Sequence, residues 1–402
     1  MPVLRVVYES HRFYWGVLIR GLDRVNGFFE AVWPIPEGIT YNSYLLDAPE
    51  GPVLLDTSRL GHCGGWLEEL RRHADPRDLA AVVLHHVEPD HSGCLPTLLR
   101  ENPGLRVYAS PAARRILEAI YPIRLKRFTP LRPGANKVAG LELEVIPTPM
   151  LHWPETVMTL SPEGVLFSGD AFGAYSVPEA PAASQAGGLT ASYVAEMRKY
   201  YATVIGSYRR QAANALKKLQ ARPRPKTIAP LHGLVLDTGE AVEKAIKLYM
   251  DWSSGVHQPG KAVLVEATAY GATSKTAETL QKLLEEKGYT VKRYPYTSTT
   301  QPDTSDILGD ALDAELIVIA ASTYEAEVPP PLSHLASLLC KKTASGQKTI
   351  IAVGYAWSPG AGKKLAQRLQ ECGHRTVKVV EYTPSNPPTD QLQQAVEHAT
   401  QQ

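Results

Sequence analysis

The apolar run Leu79-Ala80-Ala81-Val82-Val83-Leu84-His85 ends in His86-Val87-Glu88-Pro89-Asp90-His91-Ser92-Gly93, which sets two histidines and two acidic side chains within six positions. A continuous apolar run of this length reads as a buried strand, and the Pro and Gly that follow it read as a turn. Carboxylates held this close repel one another, and desolvating them costs more still unless a positive charge compensates. A metal cation supplies that charge. The fold must therefore turn this strand end into one wall of a metal site.

Further ligand types follow along the chain: His152 in Met150-Leu151-His152-Trp153-Pro154-Glu155, Asp170 in Phe167-Ser168-Gly169-Asp170, and His232 in Pro230-Leu231-His232-Gly233. Asp170 and His232 each come just after a short apolar run, Val165 to Phe167 and Thr227 to Ala229, which read as buried strands ending at the same rim. Four His, two Asp and one Glu exceed what a single tetrahedral zinc takes. They suit two metals with one bridging carboxylate and positions open to substrate. His85, next to the motif on a strand, should point to the opposite face and pack or lie exposed there.

Residues 1–250 carry short β-rich runs such as Tyr41 to Leu46 and Val53 to Leu55, separated by turns and by helical patterns over Trp66 to His73 and Val194 to Leu219. This mixture predicts an α/β sandwich of two sheets flanked by helices. The rhythm breaks at the Ser/Gly/Pro stretch Trp252 to Gly260, which divides the chain into domains 1–255 and 256–402. Beyond it, apolar strands such as Ala262 to Glu266, Glu315 to Ala320 and Lys348 to Val353 alternate with amphipathic helices. That alternation is the signature of a doubly wound parallel sheet.

Three loops in the second domain follow predicted strands. Ala267-Thr268-Ala269-Tyr270-Gly271-Ala272-Thr273-Ser274 offers hydroxyls and backbone N–H groups at a helix N-terminus, as a phosphate requires, although a capped helix start would look the same. Ser322-Thr323-Tyr324-Glu325 and Gly354-Tyr355-Ala356-Trp357-Ser358-Pro359-Gly360 carry aromatics able to stack on a flat ring, at the strand ends where such sheets bind ligands.

Charge and composition narrow the classes. Among 402 residues, 42 Lys plus Arg balance 41 Asp plus Glu, which excludes the uniformly basic surface of a general nucleic-acid binder. No apolar run reaches the roughly 20 residues of a membrane span, and the first residues lack a signal-peptide layout, so a cytoplasmic protein is expected. Cys63, Cys94, Cys340 and Cys372 form no CxxC pair, and buried free thiols rather than a disulfide framework are expected.

Together these features resemble the flavodiiron proteins, in which a metallo-β-lactamase-like αββα sandwich precedes a flavodoxin-like domain. Hydrolytic relatives of the first domain carry His-x-His-x-Asp-His, whereas the flavodiiron version is His-x-Glu-x-Asp-His, and Glu88 occupies the distinguishing position. A carboxylate there makes the site harder and more anionic, which favours iron over zinc. The intervals of 61 residues from His91 to His152, 18 to Asp170 and 62 to His232 are similar to the family's. The resemblance implies one iron on His86, Glu88 and His152, a second on Asp90, His91 and His232, and Asp170 as the bridge. It also implies Tyr201 near an open iron position and FMN held by the three loops, with Gly-Tyr-Ala-Trp close to the family's Ser-Tyr-Gly-Trp.

The implied activity is reduction of dioxygen to water, of nitric oxide to nitrous oxide, or both, in a head-to-tail homodimer or tetramer fed by a separate rubredoxin or flavin reductase. Two departures stand out. Glu325 replaces an Asn that could donate to the flavin, and Asn26-Gly27-Phe28 replaces a His-Gly-Tyr segment beside the di-iron pocket, so that histidine's role does not carry over. The rival readings are a metallo-β-lactamase-fold hydrolase, which leaves the second domain unexplained, and a non-catalytic redox sensor or electron carrier.

Overall fold

The computed structural model describes residues 6–24, 27–343, 346–386 and 388–401, so Asn26 lies outside the described residues. Contacts divide the chain into two compact units. Residues up to Tyr201 together with Tyr208–Met250 make the first, and Ala202–Ser207 with the residues from Asp251 onward make the second.

The first unit stacks two sheets. The larger contains β1 (Val7–Phe13), β2 (Gly16–Asp23), β5 (Ile39–Leu46), β6 (Val53–Leu55), β7 (Ala81–Leu84), β8 (Arg106–Ala109) and β9 (Phe128–Pro130), in that spatial order, with a separate small pair formed by β3 (Phe28–Phe29) and β4 (Trp33–Pro34). Pairing is antiparallel from β1 to β6 and parallel from β6 to β9. The smaller sheet runs β10 (Gly134–Val138), β11 (Leu141–Pro147), β12 (Val157–Leu160), β13 (Val165–Phe167) and β14 (Thr227–Ala229), and its last pair is parallel.

Strands β6 and β7 show no alternation because both their faces are buried. Val82 and Leu84 of β7 pack with Trp66 and Leu70 of α1 (Cys63–Arg71), with Leu95 and Leu98 of α3 (Leu95–Glu101), and with Leu117 of α4 (Ala113–Ile120). Ala81 and Val83 meet Val145, Val157 and Phe167 of the smaller sheet. Each fully buried Val, Leu or Phe contributes roughly 1.5–3 kcal/mol. The short α2 (Pro89–Ser92) follows β7, and further on come α5 (Ala191–Tyr200), α6 (Arg209–Gln220) and α7 (Gly239–Ser254).

The second unit is a five-stranded parallel sheet of β15 (Gln258–Ala267), β16 (Thr290–Tyr296), β17 (Ala314–Ser322), β18 (Lys348–Gly354) and β19 (Arg375–Tyr382). Its order, β16-β15-β17-β18-β19, is the flavodoxin-like one. Leu264, Val318 and Ile350 pack against α8 (Ala272–Glu286) and α12 (Thr389–Thr400). Helices α9 (Thr304–Ala311), α10 (Pro330–Lys342) and α11 (Ala361–Glu371) complete the unit and bury Leu308, Leu335 and Leu365. Among the described residues no helix is long and apolar enough to cross a membrane.

Two expectations need correction. The cysteines are paired, Cys63 with Cys94 and Cys340 with Cys372. Partners 31 and 32 residues apart meet only through tertiary packing, which spacing does not reveal. The helix foreseen over Val194 to Leu219 is interrupted: Tyr201–Ile205 widen into a π-type turn and Gly206–Tyr208 tighten into a 3-10 turn. Helix-favouring composition carries no mark of such a change of register. The Ser/Gly/Pro stretch at Trp252 to Gly260 holds the last turn of α7, which ends at Ser254, and the start of β15 at Gln258.

Candidate metal centre

Strand β7 ends at Leu84, and the chain turns through His85, His86 and Val87 into α2. Glu88 is extended (φ −58°, ψ 147°) and Pro89 opens the helix, where a missing N–H has no cost. A Cβ at Gly93 would collide with the backbone of Leu60 and Pro89, so only glycine lets this turn close.

The structure brings all seven foreseen residues together, in two groups. His86, Glu88, His152 and Asp170 form one, and Asp90, His91 and His232 form the other. In the first, Glu88 Oε2 lies 3.0 Å from His86 Nε2 and 3.2 Å from His152 Nε2, and Asp170 Oδ2 is 3.0 Å from His152 Nε2. In the second, His91 Nε2 is 3.1 Å from His232 Nε2, 3.1 Å from Asp90 Oδ2 and 3.1 Å from Asp170 Oδ1. The carboxylate of Asp170 therefore turns one oxygen toward each group.

Far atoms hold the rings in place. Nδ1 of His86 meets Glu155 Oε1 at 2.8 Å, and that oxygen also accepts from the Val87 N–H at 3.0 Å. Nδ1 of His232 donates to the Thr40 carbonyl at 2.6 Å. These contacts leave each Nε2 free to face the centre, as outer partners of metal-binding histidines do. Glu155 carries no mark in the sequence beyond its place three residues after His152. His85 packs on the other side, with Nδ1 2.6 Å from Asp56 and Nε2 2.7 Å from Thr159.

The donor set fits a cation. His86, His91 and His232 are fully buried, yet Asp90 and Asp170 Oδ1 make no hydrogen bond. Without a metal, charge must be balanced by protons. Burial alone would neutralise His86, but Asp170, Glu155 and Glu88 overcome it and hold its pKa well above the ordinary value. In the same way, against burial, Asp90 and Asp170 raise His91 to about 10, and Asp170 and Glu88 raise His152 to about 9. His232, buried and facing protonated His91, is lowered. Asp170 is buried too, but the imidazoliums of His91 and His86 hold it well below the usual carboxylate range. At the outer edge, burial and the neighbouring Glu88 push Glu30 up to about 7.

Tyr201 packs edge-on against Tyr249 at 5.0 Å, whereas the ring of Tyr200, one residue earlier, lies 5.5 Å from His232. In the second unit, Gly271 begins α8 in the left-handed region (φ +82°) with no side chain capping the first turn, and its N–H donates to Thr268 Oγ1 at 2.9 Å. Ala269 and Ala272 flank this turn and Thr273 is buried behind it. Tyr270 is 99% exposed and Trp357, after Tyr355 and Ala356, is 87% exposed. Thr323 Oγ1 is buried without a partner, and Tyr324 leads into a tight turn with Glu325 and Ala326 both at positive φ. An uncapped helix start beside unstacked aromatic rings fits a phosphate joined to a planar ring system.

Residues 39–233 match the model of the ODP family beta lactamases. The nitric oxide reductase of Moorella thermoacetica is 29% identical over 364 residues, spanning 89% of this chain and 88% of that protein. A mutant flavo di-iron protein from Thermotoga maritima superposes with a TM-score of 0.91 at 28% identity, covering 98% of this chain and 99% of that one. Rubredoxin oxygen:oxidoreductase from Desulfovibrio gigas shares the fold, with a TM-score of 0.88 at 22% identity and 98% of each chain covered.

Proposed function

This chain belongs to the flavodiiron proteins, and from that premise we propose that it reduces dioxygen to water, nitric oxide to nitrous oxide, or both, at a non-haem di-iron centre supplied with electrons through FMN. The observation that carries the reading is Asp170, whose two oxygens face two separate His/carboxylate groups. One iron would be held by His86, Glu88 and His152, the other by Asp90, His91 and His232, and Asp170 would bridge them. Each set offers two imidazoles with hard carboxylate oxygens, a mixture suited to iron. When bound, the metals supply one-electron redox chemistry and a place for a diatomic gas, while FMN passes on electrons singly.

The protein's own part is geometric and electrostatic. Glu155 and the Thr40 carbonyl orient His86 and His232. In the part from 256 to 402, the N–H groups at the start of α8 with Thr268 and Thr273 would take the flavin phosphate, and Tyr270, Tyr324 and Trp357 would stack on or border its ring. Glu325 takes the left-handed conformation that Asn adopts easily, but offers only an acceptor. The working state would be a cytoplasmic head-to-tail homodimer or tetramer, with electrons from a separate rubredoxin or flavin reductase. The relative from Moorella thermoacetica, a nitric oxide reductase, supports this reading.

The test is purification with metal and flavin analysis, followed by parallel oxygen- and nitric-oxide-electrode assays on chemically reduced protein. Two irons and one FMN per chain, with consumption of at least one gas, is the expected result. Two zincs, no yellow colour and no gas consumption would overturn it in favour of the hydrolase reading, which turnover of a hydrolysable substrate would then have to bear out.

A further inference from the structure

A cavity of about 350 Å³ reaches the metal centre from one side, and both Glu88 and Asp90 line it. Apolar side chains, Phe29 and Ile39 among them, make up much of the wall, but one stretch is polar: Asp23 at the end of β2, Tyr41 on β5 and Arg59 in the loop after β6. Asp23 is only 3% exposed. Its Oδ2 accepts from Arg59 Nη1 at 2.8 Å and from the Tyr41 hydroxyl at 3.4 Å, while its Oδ1 makes no hydrogen bond. Arg59 is 44% exposed at its side chain and lies over the Tyr41 ring, so the network reaches from solvent to the cavity wall.

We propose that Asp23 relays protons from solvent, past Arg59, into the cavity shared with Glu88 and Asp90, and so sets the rate of proton supply to the reduction. The proposal rests on the reading of the site as an oxygen or nitric oxide reductase. Dioxygen needs four electrons and four protons to become two waters, and two nitric oxides need two of each to become nitrous oxide and water. The electrons come from the external donor and the protons from water. A buried carboxyl with one oxygen anchored and the other free can hold a proton and release it across hydrogen-bonded water.

The groups facing Asp23 are Arg59 and His62 from the loop after β6, Tyr41 from β5, and Tyr8 from β1. Burial raises its carboxyl above the ordinary value even though Arg59, His62 and Tyr41 pull it down. Asp23 touches none of the seven candidate ligands, so it acts as a positioning and relay group and not as a catalytic residue.

The test compares wild type, Asp23→Asn, Asp23→Glu and Glu30→Gln as iron- and FMN-loaded holoenzymes, pre-reduced and mixed with dioxygen or nitric oxide. Asp23→Asn should slow gas consumption on the order of 100-fold. It should also abolish the fall in wild-type rate as pH rises through the Asp23 titration, enlarge the solvent isotope effect, and respond to added formate. Asp23→Glu should retain most of the activity. Independently of turnover, metal-free wild type with 13C-labelled aspartate, acidified stepwise, should gain the infrared band of a buried carboxylic acid, and Asp23→Asn should lack that component. An unchanged rate and pH profile in Asp23→Asn, or loss of the pH profile only in Glu30→Gln, would overturn the relay. Wild type that consumes neither gas would overturn the reductase reading itself, while the infrared band would still report on Asp23.

Discussion

Glu155 Oε1 lies 2.8 Å from His86 Nδ1 and accepts the Val87 N–H at 3.0 Å, so one carboxylate fixes both the ring and the backbone of the first candidate ligand. Glu155→Ala should therefore weaken metal binding at the His86 group by about 10–100-fold. The group of Asp90, His91 and His232 should keep its affinity. Metal titrations that follow the two sites separately will check this, and an equal loss at both would contradict it.

Asp170 supports both groups at once, with Oδ2 3.0 Å from His152 and Oδ1 3.1 Å from His91. Asp170→Ala should empty both metal positions and abolish gas reduction while FMN is retained. Iron and flavin counts per chain are the readout. Flavin lost together with iron would show that the two units do not hold their cofactors independently.

In metal-free protein, His91 and His152 are raised from about 6.5 to about 10 and about 9, and His86 is raised as well. A raised folded-state value stabilises the chain fully below the unfolded value, and that contribution fades as pH climbs through the folded one. The apoprotein should thus lose stability from about pH 6.5 through about 10. Asp170 and Glu88, both lowered, work oppositely, and their contribution fades on acidification. Metal loading near neutrality must displace the protons on His86, His91 and His152, whereas lowered His232 has none to give. Calorimetry in buffers of differing ionisation enthalpy should detect close to three protons released per chain.

Trp357 is 87% exposed in the loop that follows β18. Trp357→Ala should weaken FMN binding by about 1 kcal/mol, roughly fivefold in Kd, through lost stacking. Its denaturation midpoint should barely move, because an exposed substitution changes stability by about 0.5 kcal/mol or less. Flavin fluorescence titration and urea unfolding separate the two effects.

The Cys63–Cys94 bridge closes a loop of 31 residues that includes the whole His86 to His91 motif. Removing it with Cys63→Ser should cost on the order of 3–4 kcal/mol of unfolding free energy by the chain-entropy account. Urea titrations with and without reductant are the check. A reductant effect in wild type that disappears in the variant would assign the change to this bridge, provided the Cys340–Cys372 pair is substituted in both.

Much of this architecture was readable in advance. Strands with both faces buried carry unbroken apolar runs, and the crowding at His86 to His91 is too costly electrostatically to be incidental. What stayed hidden depended on three-dimensional proximity or on small changes of register. Cys63 and Cys94 meet because α1 starts beside the turn after the motif, and no spacing rule encodes that. Glu155 acts through an atom of His86 that periodicity cannot orient. Successive helix residues point about 100° apart, so Tyr200, the last residue of α5, borders His232 while Tyr201 packs on Tyr249. Asp23 carries no mark in the sequence, because Tyr8, Tyr41 and Arg59, which surround it, come from other elements.

The seven candidate ligands are drawn from both sheets of the first unit. His86 to His91 follow β7 of the larger sheet, while His152 lies in the loop between β11 and β12 of the smaller one and Asp170 and His232 just after its β13 and β14. Metal bound there would therefore act as a clasp across the sandwich, and a ligand that binds only the folded chain adds about 2.7 kcal/mol at a hundredfold excess over its Kd. The amount of protein a cell keeps, as well as its turnover, would then follow iron supply: metal-starved chains would open more often and be cleared by proteases.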